Sequence, residues 1–296
     1  MINEAIGVVP ACFSSSEKQT VDDQTPGASA TRSPQSLIMS VYRTKIAGQC
    51  RLVTITWCKN LLLHGLSVSV DGPAGDHHYH CKVELKPWYF WRKQGSKHFV
   101  VDGKTVDVVW DLKAARFNGE VEPQSDYYVA IVCEDEVVLV VGDQKKEAFR
   151  KTGCRPSLID PAMMSRKEHM FGKRRFSTKM KLHERDRSHE VSIECSGNGN
   201  VYGLSPEMEI KIDGQVAAHV KHLQWKFRGN EFIDVNKRKV EVYWDVHDWL
   251  FGSGLRNAMF LFKPSSPSSS SSLSEDLQQL ESVPDCCFFL YAWKVE

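Results

Sequence analysis

His77, His78, His80 and Cys81 are the densest set of metal-capable side chains in this sequence. In an extended segment His78 and His80 project to one face, as two ligands of one ion must. A zinc centre holds three or four ligands in tetrahedral geometry, and no second half with matching spacing follows. His78, His80 and Cys81 therefore stand as weak ligands in a solvated loop, and no metal or other cofactor is expected. The Trp-Asp pairs Trp110-Asp111 and Trp244-Asp245 are a second constellation. Acid–base chemistry needs paired groups whose pKa values are pushed apart. Asp111 and Asp245, with Asp107, Glu241 and His247, could supply them in a groove. The competing reading puts both tryptophans in equivalent core pockets and the aspartates at strand ends.

Lys86 to Lys93 packs four aromatics between basic residues, a composition that suits stacking on a ring-bearing ligand. Alternation sends Trp88 and Phe90 one way, as candidate ligand-binding side chains, and Tyr89 and Trp91 the other. Trp91 has a counterpart in Trp225, which favours core for both. Arg166, Lys167, Lys173, Arg174, Arg175 and Lys179 form a basic segment that could hold phosphate. Its interleaving with Glu168, Met170, Phe171 and Phe176 reads instead as a solvated linker face. There is no GxSxG elbow, P-loop, GxGxxG after a strand or HExxH.

These side chains sit in a chain of 296 residues in which 38 Lys and Arg meet 37 Asp and Glu. That balance provides no global field for nucleic acid or an anionic membrane. No apolar run approaches the roughly 20 residues of a membrane span. The stretch Ala5 to Phe13, broken by Pro10, makes a poor leader. Nine cysteines without a CxxC pair do not resemble a disulfide framework. The expected setting is reducing and intracellular, by default the cytoplasm.

The elements that must position any site come from a sequence that contains itself twice. WRKQGSKHFVVDGKTVDVVWDL, from Trp91, returns as WKFRGNEFIDVNKRKVEVYWDV, from Trp225, and Tyr42-Arg43-Thr44-Lys45 returns in the same register as Phe176-Ser177-Thr178-Lys179. Apolar residues alternate at period two in Leu66, Val68 and Val70, in Val106, Val108 and Trp110, and in Met208, Ile210 and Ile212. Asp102-Gly103 and Glu134-Asp135 fit two-residue hairpins. Gln144 to Thr152 and Pro161 to Phe171 have helical character. The prediction is an all-β protein of two homologous antiparallel sandwich-like units in tandem, with short helices in the connection. Residues 1–36 form a disordered segment, 37–150 the first unit, 151–172 a linker with a short helix, and 173–296 the second unit. A disordered Ser-rich insertion at about 264–283 splits the last hairpin, leaving Ala258 to Phe262 to pair with Phe288 to Trp293.

Several runs carry a family resemblance: Tyr42-Arg43-Thr44-Lys45-Ile46-Ala47-Gly48, Thr54-Ile55-Thr56-Trp57-Cys58-Lys59-Asn60-Leu61, Phe171-Gly172-Lys173-Arg174-Arg175-Phe176 and Trp244-Asp245-Val246-His247-Asp248-Trp249. From about residue 36 onward the chain resembles a plant family catalogued as domain of unknown function 868. The resemblance implies a plant protein and one evolved unit, and no activity. The first expectation is a non-catalytic binding or scaffold module, with a protein partner favoured over nucleic acid. The alternatives are a hydrolase using carboxylates or histidines in the groove between the units, and phosphate or nucleic-acid binding through 166–179.

Overall fold

The computed structural model describes residues 36–59, 64–71, 78–85, 93–172, 174–182, 187–196, 205–253, 256–265 and 286–294. The first half supplies β1 (Ser36–Ile46), β2 (Gln49–Lys59), β3 (His64–Asp71), β4 (His78–Leu85), β5 (Gln94–Val101), β6 (Lys104–Asp111), β7 (Tyr128–Cys133) and β8 (Glu136–Gly142). Helix α1 (Lys145–Thr152), the short β9 (Arg155–Pro156) and β10 (Ala162–Gly172) follow. The second half supplies β11 (Arg175–Met180), β12 (His189–Ser196), β13 (Glu207–Ile212), β14 (Gln215–Val220), β15 (Arg228–Val235), β16 (Arg238–Asp245), helix α2 (His247–Phe251), β17 (Arg256–Pro264) and β18 (Cys287–Lys294). No helix among the described residues is long and apolar enough to cross a membrane.

Three sheets result. A nine-stranded sheet runs β15-β16-β17-β18-β10-β1-β2-β3-β4, a four-stranded sheet runs β11-β12-β13-β14, and a five-stranded sheet runs β5-β6-β7-β8-β9. β10 is the central joint, antiparallel to β1 and parallel to β18. The strand order within β1–β4 and β5–β8 is also the order within β11–β14 and β15–β18. Period-two alternation gives each sheet one apolar face, which must be covered. Val53, Ile55, Trp57, Leu66 and Val68 pack against Val106, Val108, Trp110, Val129 and Ile131 in one core. Val191, Ile193, Met208 and Ile210 pack against Val240, Val242, Trp244, Phe260 and Leu290 in another. On its outer side β7 places Tyr128, Ala130 and Val132 under Ala148 of α1, so this strand is buried on both faces.

The hairpins follow their turn chemistry. Asp102 and Gly103, Glu134 and Asp135, and Asp213 and Gly214 all hold positive φ at both central positions, as type I′ turns require. Asn236 and Lys237 do the same at φ 54 and 68 without glycine. β17 and β18 pair from Arg256↔Lys294 to Phe262↔Phe288, across the Ser-rich insertion. Residues 1–35 and 266–285, on which the disorder expectations fall, lie outside the described residues.

Two sequence readings are corrected. Pro161 to Phe171 is no helix: Ala162–Gly172 is the strand β10. Its local propensity is overridden by ladders on both sides, to β1 and to β18. Trp225 is not core but 81% exposed. It sits in the turn before β15, outside the β15–β16 ladder that runs from Arg228↔Asp245 to Val235↔Arg238.

Candidate functional site

The site grows out of β10. In the antiparallel ladder Arg166 stands opposite Ser40 and Glu168 opposite Ile38, while across β1 Ile55 and Trp57 stand opposite the same two residues. On the other side Phe288 and Leu290 of β18 continue the register. Directly opposed residues share a sheet face. Two rows therefore run Ile55–Ser40–Arg166–Phe288 and Trp57–Ile38–Glu168–Leu290, from the first core to the second. A charged seam separates the two apolar cores.

Ions so placed must be paired, because an uncompensated buried charge costs several kcal/mol. Arg166 Nε donates to Glu168 Oε1 at 2.8 Å, and its two terminal nitrogens donate to Glu122 at 2.7 and 3.1 Å. Glu122 arrives from the loop between β6 and β7. From the facing sheet, Thr178 of β11 gives its hydroxyl proton to Glu168 Oε2. Burial opposes the Arg166 charge, yet Glu122 and Glu168 outweigh it and raise the guanidinium pKa above its ordinary value. Burial pushes the Glu168 carboxyl up, against the pull of Arg166 and Thr178. One guanidinium thus serves two carboxylates and has no charge left over.

Beside the triad is a cavity of about 630 Å³, bounded by β1, β2, β10, β11 and the loop that carries Glu122. Tyr42, Trp57, Tyr127, Met163 and Phe171 provide apolar wall, with Ser40 and Gln124 as neutral polar groups. Trp57 and Tyr127 meet edge to face, centroids 5.9 Å apart at 84°. Burial first, then the nearby Glu122, pushes the Tyr127 phenol far up, so it stays protonated. Lys179 and Lys181 line the cavity together with Glu120 and Glu190. His169 stacks on Tyr291 at 4.6 Å and accepts a hydrogen bond from Trp293 Nε1 at 3.2 Å. Burial, helped by Lys167, lowers its pKa to about 4.

The residues singled out from sequence lie elsewhere. Asp111 accepts the backbone N–H of Lys113 at 3.0 Å, and Asp245 accepts that of His247 at 3.1 Å and Arg228 Nε at 2.8 Å. Each closes the turn after its own strand, and neither lines the cavity. His247 is half-buried, bonded to Asp248 at 3.1 Å and edge-on to Phe227. Trp88 and Phe90 lie outside the described residues, as does the side chain of His78. His80 is exposed, 3.2 Å from Ser67 Oγ, whereas Cys81 turns into the first core. Among the described residues no group of three His, Cys, Asp or Glu could hold a metal. The basic segment is divided rather than presented as one solvated face. Arg166 is half-buried and ion-paired, Lys167 lies over the Phe289 ring, and Arg175 pairs with Glu194. Sequence reasoning missed Glu122, Tyr127, Arg166 and Glu168 as a group. The one available signal was the alternation of charge in Arg166-Lys167-Glu168.

The family described as "plant protein of unknown function (DUF868)" matches residues 33–294. The chain belongs to this family. The match takes in every described strand, and so the whole DUF868 region contains both cores and the seam between them. No curated protein matches. Among solved structures, kievitone hydratase from Nectria haematococca is 9% identical, with 78% of this chain and 84% of that chain covered at a TM-score of 0.25. A likeness at that level carries no functional argument.

Proposed function

We propose that this chain is a binding protein whose small-molecule ligand occupies the cavity between the two halves. The observation that carries the reading is a cavity of about 630 Å³ beside the buried Glu168 and its half-buried partners Arg166 and Glu122. Cavities of a few hundred to a thousand Å³ suit small ligands, and this one sets an apolar wall against the charged side chains of Arg166, Lys179, Lys181, Glu120, Glu122, Glu168 and Glu190. Binding is favoured over catalysis because both Glu168 oxygens are engaged, one by Arg166 and one by Thr178. Phosphate or nucleic acid is disfavoured because Arg166 is already neutralised. We infer further that the two halves are copies of one eight-stranded unit. The repeated strand order supports this, as do the matched pairs Gly95–Trp110 and Gly229–Trp244. On this reading, the cavity arose where the copies meet.

A thermal-shift screen of the full chain against small neutral, cationic and anionic compounds tests the reading, since a ligand of the folded state raises Tm. Ser40→Leu fills the cavity and should abolish the shift. A shift that survives Ser40→Leu would put the ligand elsewhere and sink the proposal.

A further inference from the structure

Resting on that reading, the strand that borders the cavity narrows the ligand. Among the described residues six strands end a sheet: β15 and β4, β11 and β14, and β5 and β9. Of these only β11 lines the cavity, through Ser177, Thr178 and Lys179. Side chains alternate between the two faces of a strand. Thr178 points inward, to Glu168, whereas Ser177 and Lys179 are exposed on the outer face. A space that touches both faces of β11 lies against its edge.

The ladder on the other side of β11 tells which backbone groups that edge presents. In an antiparallel pair a residue turns its N–H and C=O to the same side, and successive residues alternate. The Glu190 carbonyl accepts the backbone N–H of Asp213 at 2.8 Å, so Glu190 of β12 faces β13. Lys179, directly opposite Glu190, is therefore in a non-hydrogen-bonded pair and turns its own N–H and C=O away from β12. Ser177, opposite Ser192, has the same phase. The bond from the Cys195 N–H to the Arg174 carbonyl, at 2.9 Å, shows that the phase holds to the start of the strand. No described strand pairs with β11 on that side. Two donor–acceptor pairs, about 6.7 Å apart along the strand, thus open onto the cavity.

An open sheet edge is a template for a further strand. Backbone groups set at this spacing match another extended backbone, which binds through its main chain whatever its side chains. Across the cavity, Tyr42, Val121, Val141 and Met163 are half-buried and apolar, a wall against which such side chains can lie.

We propose that the cavity takes a short extended peptide, which adds to the four-stranded sheet as a fifth strand beside β11. Its amides exchange N–H···O=C bonds with Ser177 and Lys179.

The test uses the full chain and three acetylated, amidated tetrapeptides, of Ala, of Thr and of alternating Thr and Val, titrated by calorimetry. The tightest binder is then compared with its depsipeptide, in which esters replace the two central amides and remove two donors without changing length. The expected result is binding that Ser40→Leu abolishes, with the depsipeptide weaker by about tenfold or more. Amide hydrogen exchange read by NMR should slow at Ser177 and Lys179 when the peptide is added. Proline is tolerated where a strand N–H faces away from its neighbour, so Lys179→Pro removes one donor and should weaken the peptide about threefold to tenfold. Equal affinity for amide and ester forms overturns the strand pairing, and so does protection that appears at another sheet edge instead. Failure of all three peptides, while the broad screen still gives a shift abolished by Ser40→Leu, overturns the peptide class and leaves the cavity reading standing. If that screen is silent too, the cavity reading itself falls.

Discussion

Arg166 holds Glu122 through two N–H···O bonds of 2.7 and 3.1 Å, joining the central strand of the long sheet to a loop 44 residues earlier. With Glu168 the pair forms a charged column between two apolar cores. A buried ion cluster is weak evidence for stability, because desolvation can exceed the Coulomb gain. Here it sits beside a cavity of about 630 Å³, which is where a function would justify the cost.

Breaking the cluster and replacing it should therefore differ. Arg166→Met leaves Glu122 and Glu168 facing one another and should cost about 3–5 kcal/mol in urea denaturation. Arg166→Met combined with Glu168→Leu and Glu122→Gln removes the charges together. This triple variant should lie between wild-type stability and about 4 kcal/mol above it, while losing ligand. A single variant within about 1 kcal/mol of wild type would mean that the triad is not the buried network described.

His169 sets an acid limit. Its folded pKa is about 4, depressed first by burial and then by Lys167, against about 6.5 in an unfolded chain. Below pH 6.5 the unfolded state takes up a proton that the folded state refuses. Stability should fall as pH drops from about 6.5 to about 4 and level off below, a loss on the order of 3 kcal/mol. Glu168, with its carboxyl raised by burial, contributes the opposite slope in the acid range. The comparison with His169→Gln isolates the histidine, because Gln can still accept from Trp293. Parallel stability–pH curves for the two proteins would refute this.

Sequence and structure agree where local chemistry dominates. The I′ turns at Asp102-Gly103 and Glu134-Asp135 were legible because few dipeptides tolerate positive φ twice. The pairing of β17 with β18 was legible because both strands alternate cleanly on either side of a Ser-rich tract. β10 was not, because its inner face carries Arg166 and Glu168 where a period-two reading expects apolar residues. The fold class was legible as all-β, but the site was not. Glu122 meets Arg166 only through tertiary packing, and Trp57 and Tyr127 read as ordinary core. Asp111 and Asp245 stood out because they repeat, and repetition reports their shared role in closing a turn.

Thiol reactivity should follow burial. Cys195 is pushed up to about 12 by burial, and burial also raises Cys81 and Cys133. Cys50 is exposed. At pH 8 Cys195 carries on the order of a thousandfold less thiolate than an ordinary exposed thiol. Brief iodoacetamide treatment of the native protein, read by peptide mass spectrometry, should label Cys50 and spare Cys195 until urea is added. Equal labelling of both in the native state would contradict the packing of β12.

Gly95 and Gly229 give the sharpest test of packing in the two halves. Each stands directly opposite a tryptophan on the next strand, Gly95 against Trp110 and Gly229 against Trp244. A Cβ added at Gly229 would lie 2.5 Å from Trp244 Cζ2, and one at Gly95 would lie 2.9 Å from Trp110 Cζ2. Both indoles are buried, and Trp244 Nε1 is anchored to the Lys226 carbonyl at 3.0 Å. The rings cannot retreat without disturbing the core. Gly229→Ala should cost about 1–3 kcal/mol as overpacking, with Gly95→Ala costing less because its clash is milder. Trp244→Ala should cost about 3–5 kcal/mol through the cavity it leaves. Because the methyl and the ring compete for one space, Gly229→Ala and Trp244→Phe together should cost less than their separate costs summed. Strict additivity, or a Gly229→Ala protein that melts with wild type, would show that the indole does not lie over the glycine.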